Sequence, residues 1–126
     1  MNDEKWSPTE KKIAHQAFDA AHEREITAVI EALRSKVARM NAPRDLWQIE
    51  DFLREKREEF DRKYDFRYSV LLQVFAVLHG QGLLTEADLE GLMPDKIESI
   101  KHTSAFFKRL NDETSQDNSP DEGTFS

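Results

Sequence analysis

At 126 residues the chain is one small domain, and 38% hydrophobic against 34% charged residues is lean for a self-contained globule but normal for long, solvated helices. The net charge of −7 is uneven: residues 111–126 hold five acids and no Lys or Arg, which leaves −2 on a body of mixed sign and argues against nucleic acid as a partner. There is no cysteine, no apolar core in the leading MNDEKWSPTE and no strongly apolar run longer than Val70 to Leu78. A disulfide framework, a signal peptide and a membrane span are therefore not expected, and the protein is expected in the cytoplasm.

Ser7-Pro8-Thr9-Glu10 is a helix start, with Ser7 as cap, Pro8 at the first helical position and Glu10 completing the capping box. Nothing interrupts this helix before Asn41-Ala42-Pro43. Its second half places Ile26, Ile30, Leu33, Val37 and Met40 in a heptad seam, whereas its first half offers only Ile13, Ala17 and Phe18 among small alanines. Such a helix is a rod of roughly 48 Å, longer than the roughly 36 Å width of a compact domain of this size. It must project, and its seam then needs cover from a second molecule.

The second helix is predicted from Asp45, read as its cap three positions before Gln48, to Tyr64. Leu46, Glu50, Leu53, Arg57, Phe60 and Tyr64 form a seam with alternating spacings of four and three, the pattern of helix pairing. Asp65 is read as the cap of a third helix that runs through SVLLQVFAVL and ends at Gly80 or Gly82. A buried strand fits that run by periodicity alone, but it would need partner strands that the sequence does not offer. Thr85 to Asp88 starts a short helix with Leu84 and Leu89 as a staple, and Pro94 starts another carrying Ile97, Ile100, Phe107 and Leu110 on one side. Residues 1–110 are read as one helical domain and 111–126 as a disordered acidic tail.

Chemistry finds little footing. His22-Glu23 lacks the second histidine of a zincin motif, and His15, Asp19 and His22 share a helix face as surface residues often do. No Gly-rich phosphate loop or nucleophile elbow is present, so neither catalysis, a metal nor a cofactor is expected. On the central helix, Trp47, Asp51 and Arg54 lie beside the seam. They are either a solvated surface of ion pairs such as Glu50 with Arg54, or an interface, since Trp and Arg are enriched at binding hot spots. Spacing alone leaves these two readings level.

The segment from Asp45 through Asp65, DLWxxxDFLxxKRxxxDxKYD, resembles the central signature of the fluorescence recovery proteins of cyanobacteria, and a looser likeness extends over residues 6 to 101. The resemblance implies an all-α, extended homodimer with two long helices and a smaller C-terminal helical head. It implies a non-enzymatic regulator that binds the orange carotenoid protein and speeds its return from the red to the orange form. Trp47, Asp51 and Arg57 match the family's functional surface directly; Glu50, Phe75 and Lys101 join them as candidate partner contacts. Leu46, Leu53, Arg57, Phe60 and Tyr64 are the candidate dimer interface. This chain departs from the family where His is usual (Glu50), where Gly precedes Lys-Tyr (Arg62), and at Gln73, Leu83 and Ser99, where an aromatic, a Trp and a Lys are common. Those last three lie in the head that the family turns toward its partner, with Phe75 and Lys101 shifted by two. They leave a second reading: a helical adaptor in a bacterium without that photoprotection system, binding another protein.

Overall fold

The computed structural model describes residues 5–125; beyond Leu110 only the side chain of Asp112 is described. The order is α1 (Pro8–Ala38), α2 (Pro43–Lys63), α3 (Leu71–Gly80), a 3₁₀ turn (Ala87–Leu89) and α4 (Pro94–Phe125). No strand occurs among the described residues, and the apolar run after Val70 is helix.

Helix α1 starts as its sequence dictates. Ser7 Oγ accepts from Glu10 N at 3.1 Å, and Ser7 N donates to Glu10 Oε1 at 3.1 Å. Helix α2 begins three residues earlier than expected, with Pro43 at its first position and Ala42 as cap. Asp45 is therefore not the cap. It sits in the first turn, where its Oδ2 accepts from the backbone N–H groups of Asn41 and Ala42 at 3.0 and 3.1 Å, and those bonds hold its carboxyl below the usual range.

Asp65 does not cap α3 either. Residues 65–70 are not helical, and Tyr64, Phe66 and Tyr68 alternate along α1. Phe18 meets Tyr64 and Phe66 edge-on at 5.4 and 5.0 Å, His15 stacks on Phe66 at 4.1 Å, and Trp6 lies 5.6 Å from Tyr68. This is the period of an extended chain. Asp65, left between the aromatics, instead pairs with Arg67 at 2.6 Å. Helix α3 ends in a Schellman turn: Gly82, at φ +79°, donates to His79 O, and Leu83 N reaches back to Leu78 O at 2.9 Å.

The core belongs to a head built from α3, α4, the loop between them and the first half of α1. Leu71, Phe75 and Leu78 of α3, Leu89 of the 3₁₀ turn and Ile100 of α4 are fully buried, each a stabilisation of about 1.5–3 kcal/mol. Leu84 and Leu89 are both buried, as the staple requires. Ala14, Ala17 and Ala21 are the buried residues of α1 alongside Glu10, so its apparently poorer half is its core half. Small side chains let the backbones approach there. Likewise Gly80 faces Ser104 so closely that a Cβ would stand 3.2 Å from its Oγ. The head is thus not purely C-terminal; α1 runs through it and out again.

Two polar clamps close the head. Lys96 Nζ lies 3.0 Å from Glu10 Oε1, both side chains being almost enclosed, and donates to Lys5 O at 2.6 Å. Arg24 forks onto Asp88 at 2.7 and 3.2 Å and donates to Leu83 O at 2.8 Å, tying the loop to α1.

The rest of α1 and all of α2 form a projecting arm. Ile26, Ile30, Val37 and Met40 are exposed, as the seam argument anticipates for a single protomer. Helix α4 continues as helical backbone through the acidic segment to Phe125, where the sequence suggests no fixed structure; the side chains of that segment lie outside the described residues, Asp112 excepted.

Candidate partner-binding surface

Helix α2 buries none of its residues within the protomer. Its half-buried side faces α1: Lys36 Nζ sits 4.9 Å over the Phe52 ring, and Phe60 meets His22 edge-on at 5.3 Å. Near the end of α2, Glu25 of α1 accepts from Lys63 Nζ at 2.6 Å and from Tyr64 Oη at 2.7 Å, while Lys63 also donates to Gln81 Oε1 at 2.8 Å. Partial burial, then the bond to Glu25, pushes the Tyr64 phenol far above its usual range, so it stays a donor.

The expected seam is split by this geometry. Phe60 and Tyr64, read from the sequence as dimer contacts, turn to α1 of their own chain and are half-buried there. Leu46, Glu50, Leu53 and Arg57 remain exposed, the two leucines at 50% and 42%. Sequence spacing alone does not separate these sets, because positions 46 to 64 drift around the helix as the seam climbs.

Trp47 is 60% exposed near the tip of the arm. One turn on, Asp51 pairs with Arg54, so the intrahelical ion pair forms with Asp51 and not with Glu50. Arg57 has no ion-pair partner among the described residues. Glu50 and Arg57 do not pair within the protomer. A wide aromatic, a carboxylate and an unengaged guanidinium thus stand on one helix beside exposed leucines, a set suited to polypeptide recognition.

The head candidates part company. Lys101 is exposed and pairs with Glu86 at 2.7 Å. Phe75 is completely enclosed, which corrects its reading as a partner contact: it lies between buried Val74 and Ala76 and packs into the core. Gln73 and Ser99, both exposed, line one trough of about 500 Å³ with Phe107 between α3 and α4. Among the described residues no group of three or more His, Asp or Glu could hold a metal ion, and no helix is long and apolar enough to cross a membrane.

A helical head with a projecting arm, exposing apolar residues beside an unengaged cation, defines an all-α protein of the partner-binding class. More particularly, the chain belongs to the family of the photoprotection regulator fluorescence recovery protein, which it matches over residues 6–104. It is 38% identical over 96 residues to the fluorescence recovery protein of Synechocystis sp., covering 76% of this chain and 88% of that one. The structure of the Fremyella diplosiphon fluorescence recovery protein superposes with a TM-score of 0.75 at 43% identity, over 79% of this chain and 98% of the other. That of the Synechocystis protein gives 0.76 at 37% identity with the same coverages. The family is one of photoprotection regulators.

Proposed function

We propose that this chain acts in the cytoplasm as a homodimer, binds the orange carotenoid protein through α2 and accelerates its red-to-orange reversion, restoring the light-harvesting antenna's fluorescence. The observation that carries this reading is the exposure of Trp47 and Arg57 on a helix that buries nothing within its own protomer. Two protomers pairing through the arm would cover Ile26, Ile30, Leu46 and Leu53. An antiparallel crossing of α2 with its mate would bring Glu50 of one chain to Arg57 of the other, twice by symmetry. Acceleration requires no bond chemistry, only tighter binding to a geometry near the reversion barrier than to the red state.

The test follows visible absorbance of the photoconverted carotenoid protein in the dark. Wild type should speed reversion, while Arg57→Leu and Trp47→Ala should lose most of the effect yet still sediment as dimers. Truncating such a Trp costs about 2–4 kcal/mol at a hot spot. Leu53→Glu should sediment as a monomer; a wild-type monomer at micromolar concentration would refute the dimer.

A second reading rests on Gln73 and Ser99, which together replace an aromatic and a lysine in a single trough of the head. There the chain is an adaptor for a different protein. Failure of wild type to bind or accelerate the carotenoid protein would select it.

A further inference from the structure

The end of α2, one side of α3 and Phe107 of α4 border a hollow of about 420 Å³. That volume falls in the range of small-molecule sites, roughly 300–1,000 Å³. Its floor is apolar. Val70, Val74 and Val77 stand on successive turns, Val74 buried and the other two half-buried, with half-buried Phe107 beside them. The three valines span roughly 10 Å of helix. A narrow apolar ridge of that length suits an unbranched alkyl chain.

The rim supplies one cation with nothing to bind. Two acids and two bases line the hollow, and three of the four are engaged. Asp65 pairs with Arg67 at 2.6 Å, Glu59 lies 3.4 Å from Lys56, and Lys63 is held by Glu25 at 2.6 Å. The fourth, Arg62, is exposed and has no ion-pair partner among the described residues. Gln81 adds a donor, since its Oε1 accepts from Lys63 at 2.8 Å and leaves its NH₂ to offer. Gln73 lines the hollow too, and both it and Arg62 are positions where this chain departs from the family pattern. A guanidinium stands where that pattern has glycine, and a flexible amide where it has a ring.

We propose that this hollow binds a small amphipathic carboxylate, a medium-chain alkyl acid whose chain lies along the valines beneath Phe107. Arg62 is its principal anion-binding group, because a guanidinium can grip a carboxylate with two parallel bonds where lysine offers a point charge. The proposal rests on the charge and shape of this one hollow and not on which protein the α2 face binds.

The probe is octanoate, titrated into the isotope-labelled full-length chain and followed by NMR. The amide signals of Arg62, Val74 and Val77 should shift and saturate with a Kd of about 1 mM or tighter, while those of Leu46 and Leu53 on the arm stay in place. Octyltrimethylammonium keeps the chain and reverses the charge, and it should bind at least about ten-fold more weakly. Butyrate keeps the charge and loses most of the chain, and it should weaken by about ten-fold or more as well. Arg62→Gln should weaken octanoate about five-fold or more, and Arg62→Lys should restore part of the loss. Val77→Glu, which sets a carboxylate on the floor, should abolish binding, and Arg34→Gln, remote on α1, should change nothing. A Kd weaker than about 1 mM, equal binding of the ammonium, shifts centred on the arm, or an Arg62→Gln chain that binds like wild type would overturn the proposal. Displacement of octanoate by an acidic peptide at equal or lower concentration would also overturn it, in favour of a polypeptide ligand.

Discussion

The ammonium of Lys96 and the carboxylate of Glu10, 86 residues apart in sequence, meet at 3.0 Å in the closed interior of the head. Glu10 thereby serves two structures at once. It completes the capping box of α1, and through Oε2 it accepts from Met93 N at 2.9 Å at the approach to α4. The starts of the two helices are locked together by one side chain, and Lys96 also lies 4.9 Å over the Trp6 ring.

Lys96→Met should therefore cost about 3–5 kcal/mol, because it leaves a buried carboxylate without its cation. In a domain of this size that lowers the thermal midpoint by on the order of 10–20 °C. Lys101→Met, at the exposed pair with Glu86, should leave the midpoint almost unchanged, because solvent screens that pair. Differential scanning calorimetry on the two variants checks both values.

Acid should loosen the head before it unwinds the arm. The bond from Arg24 holds the Asp88 carboxyl down to about 2 from its ordinary 3.8, against partial burial and with help from Thr85. Burial pushes Glu10 up, but the bonds from Met93, Ser7 and Lys96 outweigh it and its pKa falls below 4.5. Both groups are depressed in the folded state, so their stabilisation is complete above the unfolded values and is lost as pH falls from about 4.5 toward 2. Thermal midpoints measured across that window should drop steeply for wild type and less steeply for Asp88→Asn, which starts from a lower plateau.

Gly91 has φ +101°, and a Cβ there would stand 2.4 Å from Ile13 Cδ1. The Ile13 tip can rotate away, whereas the backbone angle cannot relax without moving the loop. Gly91→Ala should cost about 1–2 kcal/mol, and adding Ile13→Val should not recover it. Recovery in the double variant, read by urea denaturation, would assign the cost to the side-chain clash instead.

Truncation after Leu110 removes five acids and a single large apolar residue, Phe125. So little apolar surface does not offset roughly 1–2 kcal/mol of backbone entropy per ordered residue. The truncated chain should keep its thermal midpoint within a few degrees and its sedimentation behaviour unchanged. A large loss of stability would mean that this segment docks on the body.

What the sequence by itself determined is local. Ser7-Pro8-Thr9-Glu10, Pro94 and Gly82 carry the helix ends, because caps, proline and positive-φ glycine act within one turn. The DLW…KYD segment carries the family, and the length of α1 carries the projecting arm. The alternation of Tyr64, Phe66 and Tyr68 has the period of an extended chain, a signal that the reading of Asp65 as a cap passes over. Only the tertiary structure decided which face of each stripe is covered. Ala14, Ala17 and Ala21 score poorly as apolar residues, yet they are the most buried residues of α1, since burial there is decided by what packs against the helix. Phe75 disappears into the core and Gln73 stays out, two positions apart on one helix, because Phe75 lies in the enclosed interior of the head and Gln73 at the open trough between α3 and α4. Phe60 and Tyr64 turn inward while Leu53 and Arg57 stay outward for the same reason: a helical pattern offers a face, and the neighbouring elements choose how much of it to cover.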